Sequence, residues 1–301
     1  MTAGAAERAR ARAALELNRF QEAAVHAARA IGEAPEMLDG YGLLGQAEIG
    51  LAKPENALAT AERGLGISAN SEWLHRIRSI ALRQLEKHEP AVVAAREAVR
   101  LAPEVPQCHY VLAQALAARG RRKEAVAEAE RALALDPTSA MYLTLLGDLH
   151  LKKKPKSAET YYRRSLAIEP QAAPTLNNLG VSLLRQRRRV EAAEAFKAAV
   201  VVDPTLRVAR KNAHSTLDAL LRGGGVFGLV IGLQAVFRGL AARHGSEDFV
   251  AGGLVVVATL VVWFAFRKWR ASKNRKKLEL ADPQLLSIYE KLEADKKSGR
   301  L

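Results

Sequence analysis

The apolar positions of residues 174–204 recur at intervals of three and four, which predicts two short amphipathic helices. Arginine-rich polar residues separate the two runs, and Asp203-Pro204 ends the segment. Because each helix has only one apolar face, we expect the two helices to pair as a hairpin. The residues on these faces are Leu176, Leu179, Gly180 and Leu183 in the first helix and Ala192, Phe196 and Ala199 in the second.

Five more copies of this pattern precede it, so that six copies occupy residues 4–204 at spacings of 33 to 34 residues. Each copy has three places with small residues and a fourth that is either small or larger and apolar. Small side chains let two helix backbones approach closely, and one hairpin cannot bury its apolar face alone, so the pattern predicts a stack of hairpins. In chain order, these places hold Ala11, Ala23, Ala27 and Ala30; Gly45, Ala57, Ala61 and Gly64; Ser79, Ala91, Ala95 and Ala98; Ala113, Ala125, Ala129 and Ala132; Gly147, Ala158, Tyr162 and Ser165; and Gly180, Ala192, Phe196 and Ala199.

This repeat resembles the tetratricopeptide repeat (TPR), and the resemblance covers about two-thirds of the chain. The departures are Arg10 and Arg78 at a normally apolar place, Ala69 instead of a closing proline, and one residue deleted after Gly147. The resemblance implies an all-α solenoid of about six helical hairpins. The apolar stripe of residues 205–221 predicts a further helix, similar to the capping helix that closes such arrays.

The resemblance also implies a function, because the first helices of TPR arrays form a groove that holds a peptide or helix of a protein partner. On this basis we expect the chain to be a scaffold or adaptor. Family members that bind chaperone tails use a Lys/Asn clamp for two carboxylates, and the full set is absent from this sequence. The residues that the repeat register places in the groove are Arg76, Ile80, Arg83, Tyr110, Gln114, Thr144, Asp148, Lys152, Asn177, Val181 and Arg185.

The C-terminal third is predicted to enter a membrane. Residues 249–266 form an uncharged apolar run of 18 residues, which is about the minimum for spanning a bilayer. Two tryptophans lie near its C-terminal end, where interfacial aromatic residues are common. Residues 223–242 are apolar except for Gln234 and Arg238, so this run is either a second span or an interfacial or re-entrant helix. The sequence therefore predicts a transmembrane helix or a transmembrane helical hairpin after the repeats.

The charges predict that both ends of the chain face the cytoplasm. Residues 267–277 carry seven cations and no acid, which places them on the cytoplasmic side by the positive-inside rule. The N-terminal residues contain no apolar run, so no export signal is expected. The high Ala and Arg content fits a GC-rich bacterial genome, so the membrane is predicted to be a bacterial inner membrane. The predicted domains are the TPR solenoid with its cap at 1–221, the membrane region at 222–266, and a basic segment with a tail helix at 267–301.

The tail contains the last predicted helix. Asp282-Pro283 is typical of a helix start, because Asp caps the first turn and Pro is favoured at the first helical position. An apolar stripe follows, which either packs against a neighbouring helix or docks a partner, and packing is the favoured interpretation. The stripe consists of Leu285, Ile288, Tyr289 and Leu292.

The formal net charge of +14 makes an anionic partner a second hypothesis. The turns inside the fourth, fifth and sixth hairpins are strongly basic, and stacking would align them along one edge. This edge either binds an anionic lipid surface or is simply solvated. Nucleic acid is less expected, because these turns have no aromatic residues on which bases could stack. The cations of this edge are Arg119, Arg121, Arg122, Lys123, Lys153, Lys154, Lys156, Arg187, Arg188 and Arg189.

The sequence contains no recognisable catalytic motif. The one cysteine, Cys108, excludes an intrachain disulfide, and the seven histidines are scattered without metal-ligand spacing. The triple glycine at 223–225 lacks the Gly-Lys-Ser/Thr of a phosphate-binding loop. We therefore expect a binding protein that is not an enzyme and that uses no cofactor or metal. The oligomeric state is not predicted.

Overall fold

The computed structural model describes residues 4–222, 268–269, 271–276, 279 and 282–300. The regular secondary structure of these residues is helical throughout, which confirms the predicted all-α class. The helices are α1 (Ala5–Glu16), α2 (Phe20–Glu33), α3 (Leu38–Gly50), α4 (Pro54–Ile67), α5 (Glu72–Gln84), α6 (His88–Leu101), α7 (Pro106–Ala118), α8 (Arg122–Leu135), α9 (Ala140–Leu151), α10 (Pro155–Ile168), α11 (Ala173–Arg185), α12 (Arg189–Val202), α13 (Arg207–Arg222) and α14 (Pro283–Lys297).

The chain divides into two compact units, Met1–Lys152 and Lys153–Leu301. In the first unit, α1 to α9 pack in chain order, and each odd-numbered helix also packs against the next odd-numbered one. These odd-numbered helices are the first helices of the hairpins, and we call the surface that they form the first-helix face. The second unit contains α10 to α13, packed in the same order, together with α14.

The small places of the repeat lie at the contacts between helices. Every residue given above for these places in the six copies is buried. Tyr41, Ala61, Leu74 and Ile77 show how two hairpins join, because α3, α4 and α5 contribute them to one apolar cluster. The predicted stacking of hairpins is therefore confirmed within each unit.

Phe196 stands where the first four copies have alanine, and a glycine faces it. A Cβ atom on Gly180 would lie only 2.6 Å from the Phe196 ring, and the ring is fully buried. The absence of a side chain at Gly180 on α11 therefore leaves the space that the large Phe196 ring on α12 fills. This match keeps α11 and α12 at the close approach that two small residues provide elsewhere.

Five of the six turns inside the hairpins each contain one residue in the left-handed conformation. Its φ lies between 55° and 85° in five of the hairpins, although only Gly120 adopts this conformation without strain. In the fifth hairpin, the deleted residue shortens α9 to 12 residues, and Lys152 follows with a φ of −72°. The left-handed residues are Asn18, Ala52, Glu86, Gly120 and Arg187.

The departures from the repeat pattern are accommodated locally. Arg10 is exposed, and Arg78 is half-buried with its Nε atom 3.8 Å from a Glu62 carboxylate oxygen. Where the closing proline is missing, Ser71 starts the next helix instead, because its hydroxyl oxygen accepts a hydrogen bond of 3.3 Å from the Leu74 N–H. The first and third hairpins consequently form like the others.

The capping helix and the tail helix are both present. α13 packs on α12 through Ala209, Ala213 and Leu217, which are fully buried. α14 begins at Pro283, and the Asp282 carboxylate accepts hydrogen bonds from the N–H groups at its start, as predicted. The apolar stripe of α14 packs on α12 and α13, which confirms the favoured interpretation. Its most buried residues are Leu285, Leu286 and Leu292.

The predicted membrane spans, residues 223–242 and 249–266, lie outside the described residues. Among the helices that the structure describes, none is both long and apolar enough to cross a bilayer.

Removing the Phe196 ring is expected to destabilise the second unit strongly. The Phe196→Ala variant leaves a cavity opposite Gly180, where no side chain can fill the space, and we expect a loss of about 3–5 kcal/mol in the free energy of unfolding. Urea unfolding followed by circular dichroism measures this loss. Val201→Ala on the same helix is the control, because Val201 is 64 % exposed and should change stability little. Equal effects of the two variants would contradict the packing described here.

Candidate functional site

The first-helix face of the first unit contains most of the predicted groove residues. Tyr110 is central: its hydroxyl accepts a hydrogen bond of 2.7 Å from the Gln114 side chain, and its ring centroid lies 5.3 Å from that of Tyr142. Burial raises the pKa of Tyr110, the Arg83 charge opposes this shift, and the Asp148 charge adds to it. The structure thus brings α5, α7 and α9 residues together around one tyrosine.

Two arginines give this surface positive charge. The Arg76 guanidinium lies 3.6 Å from the Glu72 carboxylate, and its Nε atom is buried without a hydrogen-bond partner in the described part of the chain. Arg83 is half-buried and forms no ion pair with any described residue. A half-buried guanidinium without a counter-charge has hydrogen-bond donors to offer a partner. Among the other predicted groove residues of this unit, Ile80 and Thr144 are half-buried, whereas Asp148 and Lys152 are exposed.

The predicted groove residues of the second unit have different surroundings. Asn177 is only 5 % exposed, and its side-chain oxygen accepts a hydrogen bond of 2.9 Å from Asn212 of the capping helix. Val181 is half-buried, and Arg185 is exposed at the end of α11. Asn177 therefore links α11 to α13. A role in partner binding stays a prediction for Asn177, Val181 and Arg185.

The basic turn of the first unit is partly neutralised by acids. Arg119 pairs with Glu89 at 2.8 Å, and Arg121 pairs with Glu124 at 2.7 Å. Arg122 is half-buried, whereas Lys123 is exposed. The α7–α8 turn is consequently less positive than the sequence suggests.

In the second unit, one arginine is neutralised and the other cations of the turns are not. Glu159 accepts hydrogen bonds from Arg188 at 2.7 Å, Gln186 at 2.8 Å and Arg163 at 2.9 Å. Burial acts to raise the pKa of Glu159, but these hydrogen bonds outweigh it and lower the pKa. The remaining cations are exposed and form no ion pair with a described residue. They are Lys153, Lys154, Lys156, Arg187 and Arg189.

A shallow cavity of about 480 Å³ opens between the α9–α10 turn and the α11–α12 turn. Its walls carry cations and polar groups from the start of α10 and from the α11–α12 turn. The lining residues are Lys154, Pro155, Lys156, Ser157, Arg185, Gln186 and Arg188.

Several polar residues with structural roles were not predicted from the sequence. Tyr41, His75 and His109 stand 34 residues apart, and each bonds to the backbone carbonyl six residues earlier, at 2.8 to 3.1 Å. His109 also bonds to Glu128 at 2.7 Å. Both of its ring nitrogens thus face acceptors. The 34-residue spacing of these three residues in the sequence is the signal from which their common role could have been predicted.

The described residues contain no group of His, Cys, Asp and Glu side chains that could hold a metal ion. Cys108 is fully buried, and burial raises its pKa to about 11, with Arg76 opposing and Glu72 adding to the shift. A thiol with this pKa is a poor nucleophile.

Comparison with known proteins agrees with the repeat geometry. Two family models match, both described as tetratricopeptide repeat, one over residues 106–149 and the other over residues 144–206. The chain carries tetratricopeptide repeats. No curated protein sequence matches the chain.

Solved structures share the fold. A chain in the crystal structure of the APC/C hetero-tetramer Cut9-Hcn1 is 14 % identical with a TM-score of 0.65 over 71 % of this chain, and the match spans 43 % of that chain's length. TTC0263, a thermophilic TPR protein in Thermus thermophilus, is 21 % identical with a TM-score of 0.55, over 59 % of this chain and 99 % of its own. At these identities the likeness concerns the fold.

Cys108 is expected to be unreactive while the TPR region is folded. Its raised pKa lowers the thiolate fraction about 100-fold at neutral pH, and burial excludes the reagent as well. The rate of reaction with a chromogenic disulfide reagent, measured in buffer and in urea, checks this. A Lys123→Cys variant in a Cys108→Ser background is the exposed control. Rapid labelling of Cys108 under native conditions would contradict the buried position.

Proposed function

We propose that this protein is a membrane-anchored TPR scaffold that binds a peptide or helix of a protein partner on its first-helix face. The observation that carries the proposal is the cluster around Tyr110, where Arg83 has no ion pair with a described residue and Arg76 has an unpartnered Nε atom. Tyrosine and arginine dominate the binding energy of many interfaces, because both provide large contact area and hydrogen-bond donors. The proposal assigns no catalytic activity to the chain.

The proposed membrane anchor rests on the apolar runs at 223–242 and 249–266 and on the basic stretch that follows them. In this proposal the TPR region and the tail face the cytoplasm of a bacterial inner membrane. The packing of α14 on α13 supports one part of it, since the residues before and after the runs must then lie on the same side.

Binding of an anionic surface is a second candidate function. Its support is the set of exposed cations in the turns of the second unit that form no ion pairs with described residues. Lipid headgroups and nucleic acid both carry phosphates that such cations attract. Lipid is preferred, because no aromatic residue stands in these turns.

Changing the cluster around Tyr110 is expected to weaken partner binding without unfolding the protein. The partner is first captured from a nuclease-treated detergent extract and identified by mass spectrometry, and its affinity for the full chain is then measured. We expect Tyr110→Ala and Arg83→Glu each to weaken binding about tenfold or more. Arg29→Glu is the control, because Arg29 is an exposed cation on the second helix α2. Equal effects of Arg83→Glu and Arg29→Glu would contradict a site on the first-helix face.

Cysteine labelling of intact cells tests the proposed topology. Ser246→Cys and Ser298→Cys are made separately in a Cys108→Ser background and treated with a membrane-impermeant maleimide. A hairpin with both ends in the cytoplasm exposes position 246 alone, so only this variant should react. Labelling at position 298 with protection at position 246 would show that the first apolar run is not a span.

A further inference from the structure

α14 lies antiparallel to α13 along most of its length. Arg210, near the start of α13, pairs with Asp295 near the end of α14 at 2.6 Å. Farther along, the Tyr289 hydroxyl donates to Asp218 at 3.1 Å. The His214 ring stacks on that of Tyr289 with centroids 5.6 Å apart. These contacts run in opposite directions along the two helices, as in the hairpins of the repeats.

The start of α14 also contacts the middle of α12. Lys197 pairs with Asp282 at 2.6 Å, and Ala193 forms an apolar cluster with Leu217 and Leu285. The second helix of a repeat packs antiparallel on its own first helix. α13 and α14 are therefore arranged like the two helices of a seventh hairpin, although residues 223–282 separate them in sequence.

The chain leaves and rejoins this hairpin at one point. The Asn274 side chain, in the helical stretch 271–276, donates a hydrogen bond of 3.0 Å to the carbonyl oxygen of Leu220 in the last turn of α13. The C-terminal end of α13 is the place where the other hairpins have their internal turn. The residues on both sides of the insertion thus lie at the turn edge of the second unit.

The same edge holds the cations that have no counter-charge among the described residues. The start of α10 is joined to α11 near its end by a hydrogen bond of 2.8 Å from the Ser182 hydroxyl to the Pro155 carbonyl, so the α9–α10 and α11–α12 turns are neighbours. Arg189 begins α12 only one turn before Ala193, which contacts the start of α14. Lys268 and Lys276, which follow the apolar run 249–266 in sequence, add exposed positive charge.

We propose that this turn edge of the second unit, with Lys153, Lys154, Lys156, Arg187 and Arg189, lies against anionic phospholipid headgroups. The inference rests on the proposed membrane anchor and gives it an orientation: the repeats of the second unit meet the bilayer with their turns. It commits to lipid because the insertion that starts and ends at this edge is the apolar part of the chain.

Depth-sensitive quenching of the full chain in nanodiscs tests the orientation. A fluorophore is attached to Lys153→Cys at the turn edge or to Gln171→Cys in the exposed α10–α11 connection, in a Cys108→Ser background. The nanodiscs contain phosphatidylcholine, with or without phosphatidylglycerol, and a lipid that carries a spin label on its headgroup. We expect several-fold stronger quenching at position 153 than at position 171, and a larger difference when phosphatidylglycerol is present.

Charge variants decide whether the cations cause this contact. Lys154→Gln with Lys156→Gln should reduce the quenching at position 153 toward that at position 171. Arg187→Gly should act in the same direction, and it suits the φ of 63° at that residue, so folding is preserved. Arg207→Gln with Lys211→Gln, which removes two exposed cations at the start of α13, is the matched control and should change nothing.

The possible outcomes distinguish failure of the membrane anchor from failure of the orientation alone. A chain that does not co-elute with nanodiscs overturns the membrane anchor and the orientation together. A chain that co-elutes but shows equal quenching at positions 153 and 171 overturns the orientation alone. If the same edge variants instead abolish binding of a labelled single-stranded oligonucleotide while quenching stays equal, the edge binds nucleic acid and the lipid assignment is wrong.

Discussion

The close approach of helix backbones at the small places of the repeat is the constraint on which this structure depends. Residues such as Ala57, Ala91, Ala125 and Ala192 are fully buried, so any larger side chain there would push two helices apart. Holding every hairpin at the same spacing fixes which surfaces remain free. In the first unit these are the first-helix face on one side and the internal turns at one edge, and they present different chemistry.

Most of the fold was predictable, because the information repeats. A single alanine says little, but four such places recurring six times give the hairpin boundaries, the buried faces and the turns. Even the exceptions are readable in this way: Phe196 is large because Gly180 faces it, and the deletion after Gly147 appears as a shorter α9. The cap of α14 was also predictable, since Asp282 and Pro283 act within one turn of the chain.

The binding surfaces were less predictable, because their properties depend on residues far apart in sequence. Arg119 is neutralised by Glu89, which lies 30 residues earlier on another hairpin. Asn177 has the register of a groove residue, yet Asn212 of the capping helix binds it 35 residues later. Register assigns a residue to a face of its helix but does not identify the neighbouring side chain. This is also why the apolar stripe of α14 was visible in the sequence, whereas its partners on α12 and α13 were not.

The docking of α14 on α13 brings the two ends of the segment 223–282 close together. If residues 223–282 formed a flexible loop, closing it would cost about 3–4 kcal/mol in chain entropy, which is comparable with the whole contribution of a few partly buried ion pairs. Lys197–Asp282, Arg210–Asp295 and the Ala193–Leu217–Leu285 cluster must offset this cost. A membrane hairpin of the proposed kind, whose two ends emerge side by side, would remove most of it. The anchor and the tail helix would then stabilise each other, and loss of either would weaken the end of the repeat array.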